Sequence, residues 1–509
     1  MVAQAVSQTT LAQAPNLVPV VRELPADLDT PVSVYLRLSG QGPSFLLESV
    51  TGGEHVARYS FIGVDSSRAY VLRGRKLETH TARGMTVADL PAGQDPLDAL
   101  RAELAPYRPL PTPGLPRFSG GLVGYLGYDA VRFFEPTVSL KPHADLPDAI
   151  FLLADTVVAF DHAYGRLLLI ANAHLDGDEA AARAEAEARL DALQRRLAAP
   201  LLSGEAKGLL QAGGQAEGAA PPPPGELVSN MARERFMEAV RRAKAHIAAG
   251  DSFQVVLSQR LSRRTTASPF SIYRALRRLN PSPYMVFMDF AHLAGDTPFR
   301  LIAASPEMHV RLEGRRAALR PIAGTRPRGQ TPAEDAAHEQ DLLADPKERA
   351  EHVMLVDLAR NDLGRVCAYG SVHVSEQMVV ERYSHVMHIV SHVEGELNPA
   401  HDAFDLMRAT FPAGTVSGAP KIRAMQIIDE LERDPRGPYA GAIGYFSYDG
   451  SLDSCITIRT LVMRGQAVSV QAGAGIVADS DPAREYEETM NKARALAVAV
   501  NMAEQDEEE

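Results

Sequence analysis

Apolar residues recur along the chain with two different periods. In 178–198 and 482–503 they return about every three to four residues, as on one face of a helix. Short runs rich in Val, Leu and Phe, such as 44–50 and 252–263, are typical of strands. Further helices are expected at 97–106, 270–279, 346–360, 401–410 and 419–432, and further strands at 67–73, 150–160, 165–171, 300–312, 440–448 and 466–472.

The order of these elements favours an α+β architecture, because strands follow one another in runs and do not alternate strictly with helices. Residues 202–228 are rich in Gly, Ala and Pro, which is the composition of a linker. We therefore expect an N-terminal part at 20–201 and a C-terminal part at 229–509. The helix after the linker is expected to start at Asn230, and the acidic end of the chain is expected to fray.

One short sequence occurs twice. GLVGYLGYD at 121–129 returns as GAIGYFSYD at 441–449, with glycines, tyrosines and the aspartate at the same spacing. Two related halves, each contributing a large sheet, would explain the match. A chance similarity between two strands rich in Gly and Tyr explains it equally well.

Composition excludes several classes of function. The net charge of −12 argues against nucleic acid or an anionic membrane surface as a partner. Cys367 and Cys455 stand alone, so neither a disulfide framework nor a zinc site is indicated. No apolar run approaches the roughly eighteen residues of a membrane span. A cytoplasmic enzyme of two large or three average domains is expected from 509 residues.

Two segments share a helix start that could build a metal site. Asp345 and Asp481 are each followed by proline, and Asp at the N-cap with Pro at the first helical position is a favoured start. Each helix then carries two glutamates one turn apart on one face. Converging faces would form an all-oxygen pocket suited to Mg²⁺, whereas separate solvated helices would tolerate the pairs easily. The glutamates are Glu348, Glu351, Glu485 and Glu488.

A series of segments over about 230–500 resembles the chorismate-utilising enzymes, and within them the component I (large) subunits of anthranilate synthase. The resemblance implies two large, mainly antiparallel sheets packed as a sandwich with helices on the outside. The matching segments are FQVVLSQR at 253–260, SPE at 305–307, RPIAGT at 320–325, EHVMLVDLARND at 351–362, VMH at 386–388, GTVSGAPK at 414–421 and EETMNK at 487–492.

The resemblance assigns the glutamates to Mg²⁺. Glu351 and Glu488 are implied as direct ligands, and Glu348 and Glu485 as ligands through water. The substrate implied is chorismate, a dianion whose charge the metal and nearby cations would offset. Lys492 also fits an ordinary helix pair with Glu488. The substrate contacts implied are Gly324, Thr325, Thr415, Tyr439, Arg459, Gly473, Gly475 and Lys492.

Two positions distinguish the reactions of this family. Members that add water have a lysine base where this chain has Gln254, and members that make the 4-amino product have a nucleophilic lysine where it has Ala323. An amide cannot deprotonate water and a methyl group cannot attack, so the nucleophile implied is ammonia. By resemblance, Glu307 is the general acid for the departing hydroxyl. The resemblance also implies that His388 assists the elimination of pyruvate.

The reaction implied is the Mg²⁺-dependent conversion of chorismate and ammonia to anthranilate and pyruvate, the first step of tryptophan biosynthesis. Neither Cys367 nor Cys455 resembles an amidotransferase nucleophile. Ammonia from glutamine would therefore come from a separate component II subunit in a hetero-oligomer. The alternatives are 4-amino-4-deoxychorismate synthase, isochorismate or salicylate synthase, and a synthase that stops at 2-amino-2-deoxyisochorismate. A non-catalytic amino-acid sensor is an alternative of a different class.

Two further segments resemble the family's feedback site for L-tryptophan, LLES at 46–49 and NPSPYM at 280–285. Glu48 is expected to pair with the α-ammonium and Ser49 to form a hydrogen bond. Pro283, Tyr284 and Met285 would offer an apolar face to indole. A half-buried strand followed by a turn would have the same sequence pattern.

Overall fold

The computed structural model describes residues 14–40, 42–49, 58–143, 145–175, 177–200, 226–383 and 386–508. Most of the predicted linker, 202–225, lies outside the described residues. None of the helices in these ranges is long and apolar enough to cross a lipid bilayer. The α-helices are α1 Pro31–Leu38, α2 Pro96–Leu104, α3 Glu179–Ala198, α4 Arg233–Ala248, α5 Pro269–Leu279, α6 Pro332–Ala344, α7 Pro346–Gly364, α8 Ala403–Thr410, α9 Lys421–Leu431 and α10 Pro482–Glu508.

The first sheet joins strands from both parts of the chain. Its twelve strands pair antiparallel in the order β1-β10-β9-β3-β2-β13-β14-β23-β24-β12-β11, with β20 on β12. They are β1 Leu17–Pro25, β2 Ser44–Glu48, β3 Tyr59–Gly63, β9 Thr156–Asp161, β10 Arg166–His174, β11 Val228–Ser229, β12 Gln254–Arg264, β13 Tyr284–Asp289, β14 Phe299–Ser305, β20 Gly418–Ala419, β23 Thr460–Arg464 and β24 Ala467–Ile476.

The second sheet is built in the same way. Its twelve strands follow the order β17-β19-β16-β15-β22-β21-β7-β8-β4-β5-β6, with β18 on β19. They are β4 Arg68–Arg73, β5 Lys76–Thr81, β6 Gly84–Asp89, β7 Gly121–Leu126, β8 Ala149–Ala154, β15 Met308–Glu313, β16 Arg316–Leu319, β17 Ile322–Pro327, β18 His373–Arg382, β19 Val386–Glu396, β21 Ala442–Ser447 and β22 Leu452–Ile456.

The two sheets pack face to face with helices on both outer surfaces, so the predicted α+β sandwich is confirmed. One apolar cluster, which includes Phe45, Val123 and Leu301, draws on both sheets and fills the space between them. A second cluster packs α1, α3, α5 and α10 on the first sheet. A third packs α2, α7 and α8 on the second sheet. Because both sheets contain strands from either side of 202–228, the two parts share one core.

Two runs predicted as single strands, 150–160 and 300–312, each form two strands in different sheets. The first divides at Asp155, between β8 and β9, and the second at Pro306 and Glu307, between β14 and β15. The prediction of one strand was wrong because apolar residues continue across each break, so the pattern did not show the change of sheet. The second break places Glu307 where the chain passes between the sheets.

The predicted ends of two helices also differ. Helix α4 has Ala232 at its N-cap, while the Asn230 side chain donates to Asp434 (2.9 Å) and accepts from the backbone of Arg260 (2.9 Å). The predicted fraying from residue 504 onward is not seen in the described part of the tail: α10 continues to Glu508, and the Glu504 carboxylate accepts hydrogen bonds from Arg263 and Thr265. Residue 509 lies outside the described residues. In both helices, hydrogen bonds to residues far along the chain outweigh the local capping and charge preferences on which the predictions were based.

The repeated sequence forms two neighbouring strands. Strands β7 and β21 pair antiparallel near the middle of the second sheet, with Gly124 directly opposite Gly444. A Cβ atom at Gly124 would lie 1.9 Å from the carbonyl oxygen of Ile150, and one at Gly444 would lie 2.2 Å from that of Asp453. Both glycines are therefore required by close contact with the next strand.

Candidate active site

The two glutamate-bearing helices start as their sequences predict. The Asp345 carboxylate accepts from the backbone of Lys347 (2.9 Å) and Glu348 (3.3 Å). The Asp481 carboxylate likewise accepts from Ala483 (3.1 Å) and Arg484 (3.0 Å). These caps set the first turn of α7 and α10, and with it the face on which the glutamates lie.

The glutamate faces of α7 and α10 converge. Burial raises the pKa of Glu351, and the charges of Glu348 on its own helix and Glu488 on the other raise it further. Burial also raises the pKa of Glu485, to which the charge of Glu488 contributes. Among the described residues no three Asp, Glu, His or Cys side chains are close enough to hold a metal as they stand. The donor chemistry nevertheless fits Mg²⁺, which takes carboxylate oxygens and retains waters.

Two cations neutralise part of this acidic pocket. Lys492 Nζ lies 2.6 Å from Glu488 and donates to the carbonyl oxygen of Gly473 (2.9 Å). Arg326 lies 3.2 Å from Glu348 and also pairs with Asp345 (2.8 Å). Sequence reasoning missed Arg326, since it stands in a strand without any motif that connects it to α7.

Strands β12 and β24 form one wall of the pocket. Gln254 Nε2 lies 3.5 Å from Glu351 Oε1, and Gln254 Oε1 is buried without a hydrogen-bond partner among the described residues. A Cβ atom at Gly475 would lie 2.4 Å from Gln254 Nε2, and one at Gly473 would lie 2.6 Å from the hydroxyl of Tyr439. Glycine at both positions therefore leaves room for the side chains that face the pocket.

Arg459 brings a positive charge to the same pocket. Burial lowers its pKa, against the opposing effects of Tyr439 and the Glu488 charge. Within the described ranges Arg459 forms no ion pair, so its guanidinium is available to an anion. Its backbone φ is +51°, in the left-handed region that residues other than glycine rarely adopt. Such a conformation persists only where surrounding contacts hold it.

Glu307 is the buried acid of the site, with only 5% of its surface exposed. Burial raises its pKa to about 8, although hydrogen bonds from Thr415 and from the backbone of Ile322 favour the ionised form. The Thr415 hydroxyl donates to Glu307 Oε1 at 2.7 Å. At neutral pH this carboxyl group therefore carries a proton that it can donate.

His388 lies on β19 beside the bulge of β17. Its Nδ1 is 2.9 Å from the carbonyl oxygen of Gly324 and 3.1 Å from the hydroxyl of Thr325. Because a carbonyl oxygen only accepts, Nδ1 carries the hydrogen and Nε2 carries the lone pair. Burial lowers the pKa of His388, so the ring is neutral and basic at Nε2 near pH 7. Gly324 has φ of +69°, and a Cβ atom there would lie 3.3 Å from Glu348 Oε2.

Comparison with known proteins decides the family. The sequence model of the chorismate binding enzymes matches residues 43–498. The chain belongs to this family. Component 1 of anthranilate synthase from Acinetobacter calcoaceticus is 47% identical over 96% of both chains, and that from Synechocystis is 49% identical over 97% of both. The crystal structure of anthranilate synthase component I from Streptococcus pneumoniae superposes with a TM-score of 0.73 at 37% identity, covering 93% of this chain and 98% of that one.

A buried ion pair lies in the framework of this chorismate-binding enzyme. Lys421 Nζ, at the start of α9, lies 2.8 Å from Asp362 on α7 and donates to the carbonyl oxygen of Thr410 (3.0 Å). Both side chains are about nine-tenths buried, with 9% and 8% exposed. The pair connects the helix of Glu348 and Glu351 to the segment that carries Thr415. Both residues belong to motifs noted in the sequence, but nothing there indicated that they pair.

The predicted tryptophan residues line a separate cavity between the sheets. Leu47 lies on β2 and Ser49 directly follows it, and both reach the cavity. Tyr284 reaches it from the start of β13. The Glu48 carboxylate instead accepts hydrogen bonds from Arg277 (3.0 and 3.2 Å) and from the hydroxyl of Tyr273. The cavity is lined by Leu47, Glu48, Ser49, Tyr59, Phe61, Arg117, Pro283, Tyr284, Met285, Val286, Arg311, Ile443, Gly444, Tyr445, Asp453 and Cys455.

Proposed function

We propose that this chain is the chorismate-binding component of an anthranilate synthase, which converts chorismate and ammonia to anthranilate and pyruvate with Mg²⁺. The observation that carries the proposal is the pair of neutral residues in the pocket. Gln254 faces the glutamates, and Ala323 precedes Gly324 beside His388. Neither can serve as base or nucleophile, so the pocket suits a nucleophile that enters already reactive.

In the first step ammonia attacks C2 of the ring and the hydroxyl at C4 leaves. Glu307 donates its proton to that hydroxyl, which departs as water. Its raised pKa keeps the proton available at neutral pH, and its burial excludes bulk water from the reaction. Thr415 orients the carboxyl group through its hydrogen bond.

In the second step His388 Nε2 takes the proton from the ring carbon that bears the new amino group. The C–O bond between the ring and the enolpyruvyl group then breaks and the ring becomes aromatic. The departing enolpyruvate takes up a proton on its methylene carbon to become pyruvate. The carbonyl oxygen of Gly324 holds His388 in the tautomer that makes Nε2 the base.

The substrate is bound by groups of both signs. Glu351 and Glu488 would hold Mg²⁺ directly, and Glu348 and Glu485 through water. When bound, the ion would neutralise a substrate carboxylate and fix its position. Arg459 and Lys492 supply further positive charge at the pocket. Tyr439, Gly473, Gly475, Gly324, Thr325 and Thr415 complete the substrate contacts.

The proposal extends to a partner and to regulation. Cys367 and Cys455 are buried in apolar surroundings, and burial raises the pKa of both thiols, to about 11 and about 12. Neither has the reactivity of an amidotransferase nucleophile, so a separate component II supplies ammonia from glutamine in the cytoplasm. L-Tryptophan inhibits the enzyme from the cavity lined by Ser49, Pro283, Tyr284 and Met285, with Glu48 beside it.

The test is the fluorescence of anthranilate formed from chorismate. Ammonium with Mg²⁺ should support turnover, and glutamine should not unless component II is added. A 4-amino product, isochorismate, salicylate or a released amino intermediate, separated by chromatography, would instead identify one of the alternative synthases. Absence of any chorismate turnover would favour a sensor. Replacing Ser49 with phenylalanine should weaken inhibition by tryptophan.

A further inference from the structure

Arg436 lies where three segments of the active-site wall meet. It follows α9, and only 2% of its side chain is exposed. Its Nη1 donates to the carbonyl oxygen of Val416 (2.7 Å), and its Nη2 donates to that of Val256 on β12 (2.8 Å). Its guanidinium also lies over the ring of Tyr439, 5.5 Å from the centroid. One buried cation therefore joins parts of the wall that are not adjacent in the chain.

Glu432 balances the charge of this arginine. The guanidinium of Arg436 meets both carboxylate oxygens of Glu432, with Nε at 2.9 Å and Nη2 at 2.6 Å. Glu432 is also buried, and its Oε1 accepts from the backbone (2.8 Å) and the hydroxyl (2.9 Å) of Ser258 on β12. Because one cation matches one carboxylate, the pair needs no ligand to complete it, and what it offers is a rigid connection between backbone segments.

The N-terminal part of the chain holds the arginine in place. The carboxylate of Asp129 accepts from the backbone N–H of Gly437 (2.7 Å) and of Arg436 (3.3 Å). Asp129 is the last residue of the first copy of the repeated sequence, and only 3% of its surface is exposed. The ring of Tyr128, next to it, lies 4.6 Å from the guanidinium. Two adjacent residues before the linker therefore fix both the backbone and the side chain of Arg436.

The contact at Val416 bears on the acid of the site. Val416 directly follows Thr415 in a single 3₁₀ turn, and the Thr415 hydroxyl donates to Glu307 at 2.7 Å. On the other side of the turn, the carbonyl oxygen of Ser417 accepts from the backbone of Val256 (3.0 Å). So short a turn has few hydrogen bonds of its own, so its position depends on contacts with other segments. A displacement of Val416 would carry Thr415 away from Glu307.

We propose that Arg436 is a positioning residue, which holds the turn of Thr415 against β12 and so keeps the Thr415 hydroxyl bonded to Glu307. Its own hydrogen bonds go to backbone carbonyl oxygens and to Glu432, so it acts on the reaction through other groups. The planar fork of a guanidinium is what allows it to meet a carboxylate and two carbonyl oxygens at once, and the single ammonium of a lysine does not reproduce this geometry. The proposal rests on the role of Glu307 in the proposed function.

The experiment measures kcat and KM of Arg436→Lys with chorismate and ammonium over a range of pH at constant free ammonia. The hydrogen bond from Thr415 favours ionised Glu307, so weakening it should move the alkaline fall of kcat upward by about half a pH unit to one unit. Because the acid is misplaced, kcat at pH 7 should fall about 10- to 100-fold, with less change in KM. Nearby Tyr383 stays neutral over this range, since burial raises its pKa.

Two comparisons separate positioning from a general loss of structure. Arg263→Lys is the matched control, because that arginine is 1% exposed at the far end of β12 and pairs with Glu504 (2.6 Å); its alkaline fall should not move. Arg436→Lys added to Thr415→Val should give no further shift, since both changes act through the same hydrogen bond. A lower kcat in Arg436→Lys without a shift, or additive shifts in the double variant, would overturn the proposal.

Asp129→Asn tests the same connection from the other side of the linker. Burial raises the pKa of Asp129 to about 7, so a neutral amide resembles the protonated side chain, but it retains only one of the two acceptor oxygens. The shift should have the same direction and be smaller. If Arg436→Lys does not fold, the absence of a shift in Asp129→Asn overturns the proposal. A shift in Thr415→Val alone would leave the role of Glu307 intact and refute that of Arg436, whereas no shift in any variant would refute both.

Discussion

The active-site pocket and the cavity between the sheets differ in the sign of their unbalanced charge. The pocket gathers four glutamates against Lys492 and Arg326, with Arg459 beside them. The cavity gathers two arginines against Asp453. In the buried pair of Lys421 with Asp362, by contrast, one cation matches one carboxylate. The excess of negative charge in the pocket suits a bound cation, and the excess of positive charge in the cavity suits a bound anionic group.

The largest effect is expected at the acid of the active site. Glu307→Gln removes the proton donor while it retains the shape of the side chain, so kcat with chorismate and ammonium should fall about 10²- to 10⁴-fold. Inhibition by tryptophan should persist in the residual rate, because the cavity is a separate site. Glu313→Gln is the matched control on the next strand. A Glu307→Gln enzyme with a normal rate would remove this residue from the mechanism.

Replacing a residue of the buried Lys421–Asp362 pair should change the stability of the protein. Lys421→Met leaves Asp362 buried without its cation and should lower the free energy of unfolding by about 3–5 kcal/mol. The double variant Asp362→Leu, Lys421→Met removes both charges and should recover much of that loss. Chemical denaturation measures each value, with Arg241→Gln, from an exposed pair with Glu238, as the control. If the double variant did not recover stability, the loss in Lys421→Met would not come from the unpaired charge of Asp362.

The pH dependence of kcat tests the protonated state of the active-site acid, which the regulatory cavity does not share. The raised pKa of Glu307 means that its proton is present below about pH 8 and is lost as the pH rises through that value. At constant free ammonia, kcat should fall about tenfold per pH unit on the alkaline side. Thr415→Val removes a hydrogen bond that favours the ionised form, so this limb should move to higher pH. If kcat fell at the same pH in both enzymes, the titration of a group other than Glu307 would explain the alkaline limb.

How well the sequence predicts each region depends on how far apart in the chain its contacting residues lie. The glutamate helices were predictable because capping residues set the first turn and the helical period sets the face. The cluster of Arg117, Arg311 and Asp453 was not, because its members come from a loop and two strands far apart in the chain. The change of sheet at Asp155 was missed for a related reason, since an apolar run has the same period on both sides of the break.

The smallest effect is expected at Glu48, and it separates two views of the regulatory site. If the Glu48 carboxylate bound the ligand's ammonium, Glu48→Gln would weaken tryptophan inhibition as strongly as we expect Ser49→Phe to do. Its carboxylate instead meets Arg277 and Tyr273 on the other face of β2. We therefore expect a change of less than about tenfold, below the loss of one charge-assisted contact. Calorimetric titration of each variant with tryptophan measures this directly, and a larger loss of affinity in Glu48→Gln than in Ser49→Phe would place the ligand's head at Glu48.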